Sequence, residues 1–225
     1  MEVYNRNQIR GRRRERKGTD SEKDKGTGKG TGKGTGEGTG KGTEKGGWKV
    51  ETENGMEIER KWLVSEWPEK AGVNLNLVKE EKMRQGYVSV EPTVRIREEI
   101  SMRNTEEASY LLTFKSSGLL SRKEIEFPIE KRYFAELEEL ISHPLVPKVR
   151  RTYALPDGLF LEVNHVDGEA KTAFWYAEVE FHSEEEARSW KANSKGLARY
   201  LSNEVTEKAG FSMGAYWKKT RISGL

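Results

Sequence analysis

The chain has 225 residues, of which 40 are Lys or Arg and 37 are Asp or Glu, and it contains no cysteine. Disulfide frameworks and thiolate zinc sites are therefore excluded. No apolar run reaches the ~20 residues of a membrane-spanning helix, and the first residues lack the apolar core of a signal peptide. We therefore expect a protein that acts in the cytoplasm.

Residues 1–55 differ in composition from the rest of the chain. They contain almost no apolar side chains, and residues 26–46 are a near-perfect repeat of Gly-Thr-Gly-Lys. Because such a segment cannot bury enough apolar surface to offset the entropy of ordering it, we predict a disordered tail. The tail holds 14 of the basic and 9 of the acidic residues, so the net charge of +3 originates in the tail.

Nucleic-acid binding is expected only through this tail, if at all. Its arginine cluster at residues 10–17 could contact nucleic acid or an anionic membrane. A solvated extension without a partner explains the same composition, and we favour it. The repeat is also consistent with a mis-assigned start codon, in which case translation begins at Met56 and residues 1–55 are not part of the protein.

Deleting residues 1–55 is expected to leave the thermal stability of the protein nearly unchanged, because the tail offers no apolar surface that could pack on a folded domain. Thermal unfolding of the full-length and truncated chains measures this, and a Tm lowered by several degrees would contradict it. A salt-sensitive gel shift that the deletion abolishes would instead identify the arginine cluster as a nucleic-acid site.

Residues 56–225 have the length and composition of one domain. After an opening strand at 56–64 and an irregular stretch at 65–77, short segments with period-2 alternation and intervening turn residues predict antiparallel strands. The later predicted strands cover residues 85–90, 93–100, 110–115, 122–129, 146–153, 159–166 and 174–181.

Three helices are predicted between and after these strands, which places the domain in the α+β class. Residues 131–142 have an apolar side formed by Phe134, Leu137, Leu140 and Ile141. A capping box at residues 183–186 predicts a helix to about residue 192, and another short helix is expected at 196–203. The last twenty residues show no clear pattern.

The opening strand carries a charged face. Glu57, Glu59 and Lys61 share this face, because the side chains of a strand alternate between its two sides. Carboxylates are the usual oxygen ligands of Mg²⁺ and Mn²⁺, and a nearby lysine suits a phosphate group. Taken alone, the stretch also fits a solvated strand face.

The later strands have charged faces too, and the charges are sorted, with some strands acidic and others basic. If the helices cover the apolar faces and the sheet closes into a barrel, the charged faces point into its lumen. Opposed acidic and basic walls in such a lumen suit a metal-bound polyanion. The alternative is an open sheet whose polar face lies in water.

These charges lie in short motifs that follow one another in a fixed order. The motifs are Glu57-Ile58-Glu59-Arg60-Lys61, Arg95-Ile96-Arg97, Thr113-Phe114-Lys115-Ser116, Arg122-Lys123-Glu124-Ile125-Glu126, Lys148-Val149-Arg150, Glu162 and Glu178-Val179-Glu180-Phe181. Together they resemble the CYTH superfamily, the triphosphate tunnel metalloenzymes, and in particular its compact bacterial members that hydrolyse inorganic triphosphate. For residues 56–225 the resemblance implies an eight-stranded antiparallel β-barrel, a tunnel with helices packed outside.

The resemblance also implies a reaction and a set of site residues. The reaction is hydrolysis of inorganic triphosphate to pyrophosphate and phosphate with Mg²⁺ or Mn²⁺ as cofactor, by a monomer or a homodimer acting on a small molecule. The expected catalytic residues are Glu57, Glu59 and Lys61. The expected metal ligands are Glu57, Glu59, Glu124, Glu126, Glu162, Glu178 and Glu180. The expected substrate-binding residues are Lys61, Arg95, Arg97, Lys115, Arg122, Lys148 and Arg150.

Other functions remain open at this point. A class IV adenylate cyclase or a thiamine triphosphatase resembles the same template, but each needs space for an organic group at a tunnel mouth. Outside the enzymes, the alternative is a non-catalytic module that binds polyphosphate or a nucleotide. Arg122 or Glu126 could also form a tunnel salt bridge that never contacts a ligand.

Asn164 departs from the family pattern, in which many relatives carry an acidic residue at this place. Its amide oxygen could ligate the metal, in which case Asn164→Asp should lower the metal concentration needed for activity. Alternatively, Asn164 lies at the rim and contacts only water. The C-terminal stretch also departs from the pattern, since Phe211-Ser212-Met213 replaces the usual Tyr-x-Asn.

Overall fold

The computed structural model describes residues 55–103 and 107–224. The predicted tail lies outside these ranges except for its last residue, so its disorder stays a prediction. The strands are β1 (Met56–Val64), β2 (Asn76–Val90), β3 (Thr93–Ser101), β4 (Ala108–Lys115), β5 (Ser121–Pro128), β6 (Val146–Ala154), β7 (Phe160–Val166), β8 (Phe174–Glu180) and β9 (Asn203–Glu204). The helices are α1 (Lys131–Ile141), α2 (Glu184–Ser189), α3 (Lys195–Tyr200) and α4 (Met213–Trp217), followed by a π-helical turn at Lys218–Ile222.

Eight of these strands close into an antiparallel barrel. Their order is β5-β4-β3-β2-β6-β7-β8-β1, and a pairing between β1 and β5 completes the ring. Residues 56–58 of β1 pair with β5, whereas residues 59–64 pair with β8. The short strand β9 pairs with the far end of β1. The predicted eight-stranded antiparallel barrel is therefore confirmed.

The hydrophobic core lies outside the barrel, between the outward strand faces and the segments that cover them. One cluster joins Trp62 of β1, which is 2% exposed, to α3 through Leu197. A second cluster joins Ile96 of β3 to α1 and α4 through Phe134 and Trp217. Because strand alternation places the apolar side chains outside, the opposite, charged faces fill the lumen.

The helix α1 buries a narrower apolar side than predicted. Phe134 and Ile141 are buried, but Leu140 is 68% exposed, so its assignment to the apolar side is wrong. With about 3.6 residues per turn, position 140 lies about 120° around the axis from position 134 and points to solvent. In the described ranges α1 is the longest helix, with 11 residues, and no helix has the length and apolar character needed to cross a membrane.

Two regions extend beyond the predicted elements. The strand β2 begins at residue 76 rather than 85 and runs for 15 residues. At the C-terminus, the unassigned residues contain α4 and the π-helical turn. The helix α2 starts where the capping box predicts it, since Ser183 Oγ accepts a hydrogen bond from the Glu186 N–H at 3.1 Å.

Candidate active site

The inward faces of the barrel strands form a tunnel filled with charged side chains. Directly opposed residues of an antiparallel pair share a face, and the register places Glu180 opposite Glu59. The tunnel encloses a cavity of about 240 Å³. The predicted site residues that line this cavity are Glu57, Glu59, Arg95, Arg97, Lys115, Glu124, Glu126, Lys148, Arg150, Glu162, Glu178 and Glu180.

The two remaining predicted residues, Lys61 and Arg122, open onto a neighbouring chamber and pair with tunnel carboxylates. The chamber has a volume of about 640 Å³ and shares Arg95 and Lys115 with the tunnel lining. Its outer wall contains the loop at residues 116–119 and the segment that leads into α4. Space for a group larger than a phosphate therefore adjoins the tunnel.

The two kinds of charge occupy opposite halves of the tunnel wall. Most carboxylates come from four consecutive strands, β7, β8, β1 and β5, and most basic side chains come from the other four, β4, β3, β2 and β6. The ion pairs between the two halves join strands that are adjacent or separated by one other strand, so they lie where the halves meet.

Glu57 and Glu59 are held by basic side chains of β4 and β5. Lys115 Nζ lies 2.5 Å from Glu57 Oε1 and 3.0 Å from Glu124 Oε2. Arg122 donates from Nε to Glu57 Oε2 at 2.6 Å and from Nη2 to Glu59 Oε1 at 2.9 Å. Burial works against the ionisation of Glu57, but Lys115 and Arg122 hold its pKa well below its ordinary value. Glu57 is therefore a fixed negative charge.

Glu178 is a second fixed negative charge. Lys61 Nζ lies 2.7 Å from its Oε1, and Arg150 Nη2 lies 3.9 Å from its Oε2. Burial again opposes ionisation, but Lys61, Arg150 and Lys148 lower the pKa of Glu178 to about 2. Arg150 also reaches Glu162, with Nη1 2.7 Å from Oε2.

The arginines of β3 share one carboxylate. Glu126 Oε2 lies 3.4 Å from Nη2 of both Arg95 and Arg97, and it accepts a hydrogen bond from Thr113 Oγ1 at 2.8 Å. Arg97 Nε lies 2.7 Å from Glu99 Oε1. Glu126, like Arg122, therefore takes part in tunnel salt bridges, and contact of either residue with a ligand stays a prediction.

Glu180 differs from the other tunnel carboxylates, because among the residues that the structure describes it forms no ion pair. Burial and the neighbouring charges of Glu162, Glu57 and Glu59 raise the pKa of Glu180 to about 8. Burial and the charges of Glu178 and Glu57 likewise raise the pKa of Glu59. This part of the tunnel therefore holds more carboxyl groups than its basic side chains neutralise.

Lys148 is the opposite case, a buried amine with no carboxylate within ion-pair distance in the described part of the chain. It is 4% exposed, and its Nζ donates a hydrogen bond to the Tyr176 hydroxyl at 3.2 Å. Burial, together with the charges of Arg150 and Arg97, lowers the pKa of Lys148 well below its ordinary value. The tunnel thus offers one place for a cation and another for an anion.

The donor set of the acidic half fits a hard divalent cation, since it consists of carboxylate oxygens. Within residues 55–103 and 107–224, no three acidic or imidazole side chains converge on one point. Most of the carboxylates are instead turned toward Lys or Arg. A cation bound between Glu59 and Glu180 would relieve the repulsion between their like charges. The donor chemistry suits Mg²⁺ and Mn²⁺ equally.

Several lining residues were missed by sequence reasoning. Lys79 and Glu81 lie in the first half of β2, which carries charge on both faces and so shows no apolar alternation. Tyr176 had a usable signal, since it has the parity of Glu178 in β8. The lining residues without a predicted role are Lys79, Glu81, Glu99, Leu111, Thr152 and Tyr176.

The three histidines lie outside the tunnel lining. His165 stacks on Trp175 on the outer surface, with ring centroids 3.9 Å apart. His143 meets Trp217 edge-on at 6.2 Å, and His182 Nδ1 lies 3.0 Å from Glu186 Oε2 at an exposed position.

Asn164 is completely buried, which excludes the rim position. The register places it opposite Arg150 on one side and Tyr176 on the other, so it shares the tunnel face. Its Oδ1 accepts a hydrogen bond from Arg150 Nε at 3.1 Å.

The sequence is similar to those of known proteins. Residues 55–206 match the CYTH domain. The chain is 36% identical over 134 residues to the inorganic triphosphatase of Nitrosomonas europaea, a match that covers 60% of this chain and 82% of that protein.

Two solved structures were also matched. A crystal structure of an inorganic triphosphatase is 28% identical, with coverage of 71% of this chain and 93% of that one and a TM-score of 0.47. A Hippeastrum protein, assigned as an adenylyl cyclase and described as having a dominant triphosphatase activity, is 16% identical. That match covers 72% of this chain and 95% of the other, with a TM-score of 0.47.

Proposed function

This chain belongs to the CYTH domain family, and on that premise we propose that it hydrolyses inorganic triphosphate to pyrophosphate and phosphate. The relative from Nitrosomonas europaea, of which the match covers 82%, is named an inorganic triphosphatase. The adenylate cyclase alternative is not favoured by this relative. The observation that carries the proposal is that Glu180 and Lys148, two buried groups on opposite halves of the tunnel wall, form no ion pair with any described residue.

The basic half would bind the triphosphate. Lys148 is buried without a carboxylate partner, and a phosphate oxygen would supply the missing negative charge. Arg97 and Arg150 flank it and would donate to further phosphate oxygens, since a guanidinium carries five N–H donors. The phosphates would displace the carboxylates that pair with these arginines in the ligand-free tunnel.

The acidic half would hold the divalent cation, with Glu57, Glu59 and Glu180 as ligands. When bound, the cation would neutralise phosphate charge and act as a Lewis acid toward the reacting phosphoryl group. Lys115 and Arg122 would orient Glu57 and Glu59, because they hold these carboxylates at 2.5–2.9 Å.

Phosphate release from triphosphate is expected to require Mg²⁺ or Mn²⁺ and to stop when EDTA is added. The test compares triphosphate, ATP, thiamine triphosphate and long-chain polyphosphate, each with Mg²⁺, with Mn²⁺ and with EDTA. Turnover that EDTA leaves untouched would contradict the metal requirement. Tight triphosphate binding without phosphate release would instead identify a binding module.

The 640 Å³ chamber favours a second candidate, an organic triphosphate as substrate. Its basic floor, formed by Lys61, Arg95, Lys115 and Arg122, could hold the phosphates while the organic group occupies the remaining space. A higher kcat/KM for ATP or thiamine triphosphate than for triphosphate would select this candidate.

A further inference from the structure

The guanidinium of Arg150 has three neighbours of unequal charge, two in ion pairs and one in a hydrogen bond. Its Nη1 lies 2.7 Å from Glu162 and its Nη2 lies 3.9 Å from Glu178, both carboxylates. Its Nε donates to Oδ1 of Asn164 at 3.1 Å, which is a neutral amide. Because Asn164 is completely buried, this hydrogen bond is shielded from water and fixes the orientation of the guanidinium.

We propose that Asn164 is a positioning residue for Arg150 and that its neutrality keeps the charge of Arg150 available for the substrate. The inference rests on the proposed function, in which Arg150 binds a phosphate of triphosphate. A carboxylate at position 164 would be a third negative group around one guanidinium. It would both offset the attraction of Arg150 for phosphate and repel the phosphate directly.

The contacts of the amide argue against a role as metal ligand. Its oxygen already accepts from Arg150 Nε, so a cation at this oxygen would lie next to a guanidinium. Its nitrogen is buried without a partner among the described residues. An amide nitrogen is a donor, which makes it an unsuitable ligand for a cation.

The experiment measures triphosphate binding by titration calorimetry in EDTA, where neither metal binding nor turnover contributes. Asn164→Asp is expected to raise the Kd by about tenfold or more, on the scale of hydrogen bonds to charged groups. Asn203→Asp, which adds the same charge at an exposed position of β9, is the matched control and should bind like the parent protein. Wild-type affinity in Asn164→Asp would overturn the inference.

A double-mutant cycle separates positioning from direct contact. Asn164→Leu removes the acceptor of the Arg150 hydrogen bond without adding charge, and it should also weaken triphosphate binding. If the aspartate variant does not fold, the leucine variant tests the positioning role. In an Arg150→Met background, Asn164→Leu should have no further effect, because the residue acts through Arg150. A further loss in that background would overturn the inference.

Metal titration provides the remaining comparison. At saturating triphosphate, Asn164→Asp should leave the Mg²⁺ concentration for half-maximal activity unchanged. A lower Mg²⁺ concentration for half-maximal activity would identify residue 164 as a metal ligand and overturn the inference. If the parent protein hydrolyses triphosphate while Asn164→Asp binds it equally well, only the inference fails. If the parent protein neither binds nor hydrolyses triphosphate, the proposed function fails as well.

Discussion

Glu59→Gln is expected to lower kcat for triphosphate hydrolysis by about 10²–10³-fold, the scale found when one preorganised electrostatic group is removed from an active site. The substitution keeps the volume of the side chain but removes the negative charge that would hold the cation. Arg122 retains Glu57 as a partner at 2.6 Å, so the wall of the tunnel keeps its main ion pair. Rates under saturating Mg²⁺ and triphosphate measure the loss.

The fold should tolerate this substitution. Without a bound cation, burial and the charges of Glu178 and Glu57 raise the pKa of Glu59, so the folded protein favours the protonated carboxyl more than the unfolded chain does. The stability that comes from this preference is present at low pH and is lost as the pH rises through the folded-state pKa. Glutamine is neutral at every pH, and the Tm at neutral pH should therefore not fall.

Glu80→Gln is the matched control, since Glu80 lies on the outward face of β2 and pairs with Arg151 at 3.0 Å. It should retain wild-type turnover. Wild-type rates in Glu59→Gln as well would mean that Glu59 contributes no charge to the reaction, whereas an unfolded Glu59→Gln protein would show that its role is structural.

Lys148→Met is expected to change activity and stability in opposite directions. Loss of the unpaired ammonium should lower kcat/KM for triphosphate by about 10²-fold or more, because the cation would meet the charge of the phosphate in a water-poor tunnel. The same change removes a buried charge that has no carboxylate partner in the described part of the chain and replaces it with an apolar chain of similar length. We expect the Tm to rise by about 2–4 °C, which corresponds to about 1 kcal/mol for a domain of this size.

The control for this variant is Lys82→Met, at an exposed position of the same sheet. It should change neither kcat/KM nor Tm appreciably. A Lys148→Met protein that loses stability along with activity would contradict the view that the ammonium is unbalanced in the ligand-free tunnel.

The sequence revealed most of the tunnel because strand alternation and the order of the charged motifs act together. Alternation alone places Arg95 and Arg97 on one face, and the ion pairs show that this face meets Glu126 of β5, which lies beyond the intervening strand β4. The resemblance then supplies the closure of the sheet, which no local pattern contains. The first half of β2 was not predicted as a strand because its outer face is as polar as its inner face.

The pairing of charges could not be predicted in the same way. Whether Lys115 meets Glu57 or another carboxylate depends on barrel closure, which brings β1 beside β5 and hence near β4. The different partners of Lys148 and Arg150 could not be predicted from the sequence either. The two residues are alike in the sequence motif, yet Arg150 has carboxylate partners and Lys148 has the hydroxyl of Tyr176.

The closure of the barrel also has a consequence for the order in which the protein can be made. The seam between β1 and β5 has 3 register pairs, whereas β2 and β3 share 9 and are joined by a tight turn. The seam joins Met56 to Lys123, so it depends on closing a long loop, while the hairpins from β2 to β5 form between sequence neighbours. During translation β1 leaves the ribosome first, but its partner β8 ends at residue 180. The site around Glu57 and Glu59 can therefore form only after most of the domain has been synthesised, because β1 is flanked by both β5 and β8.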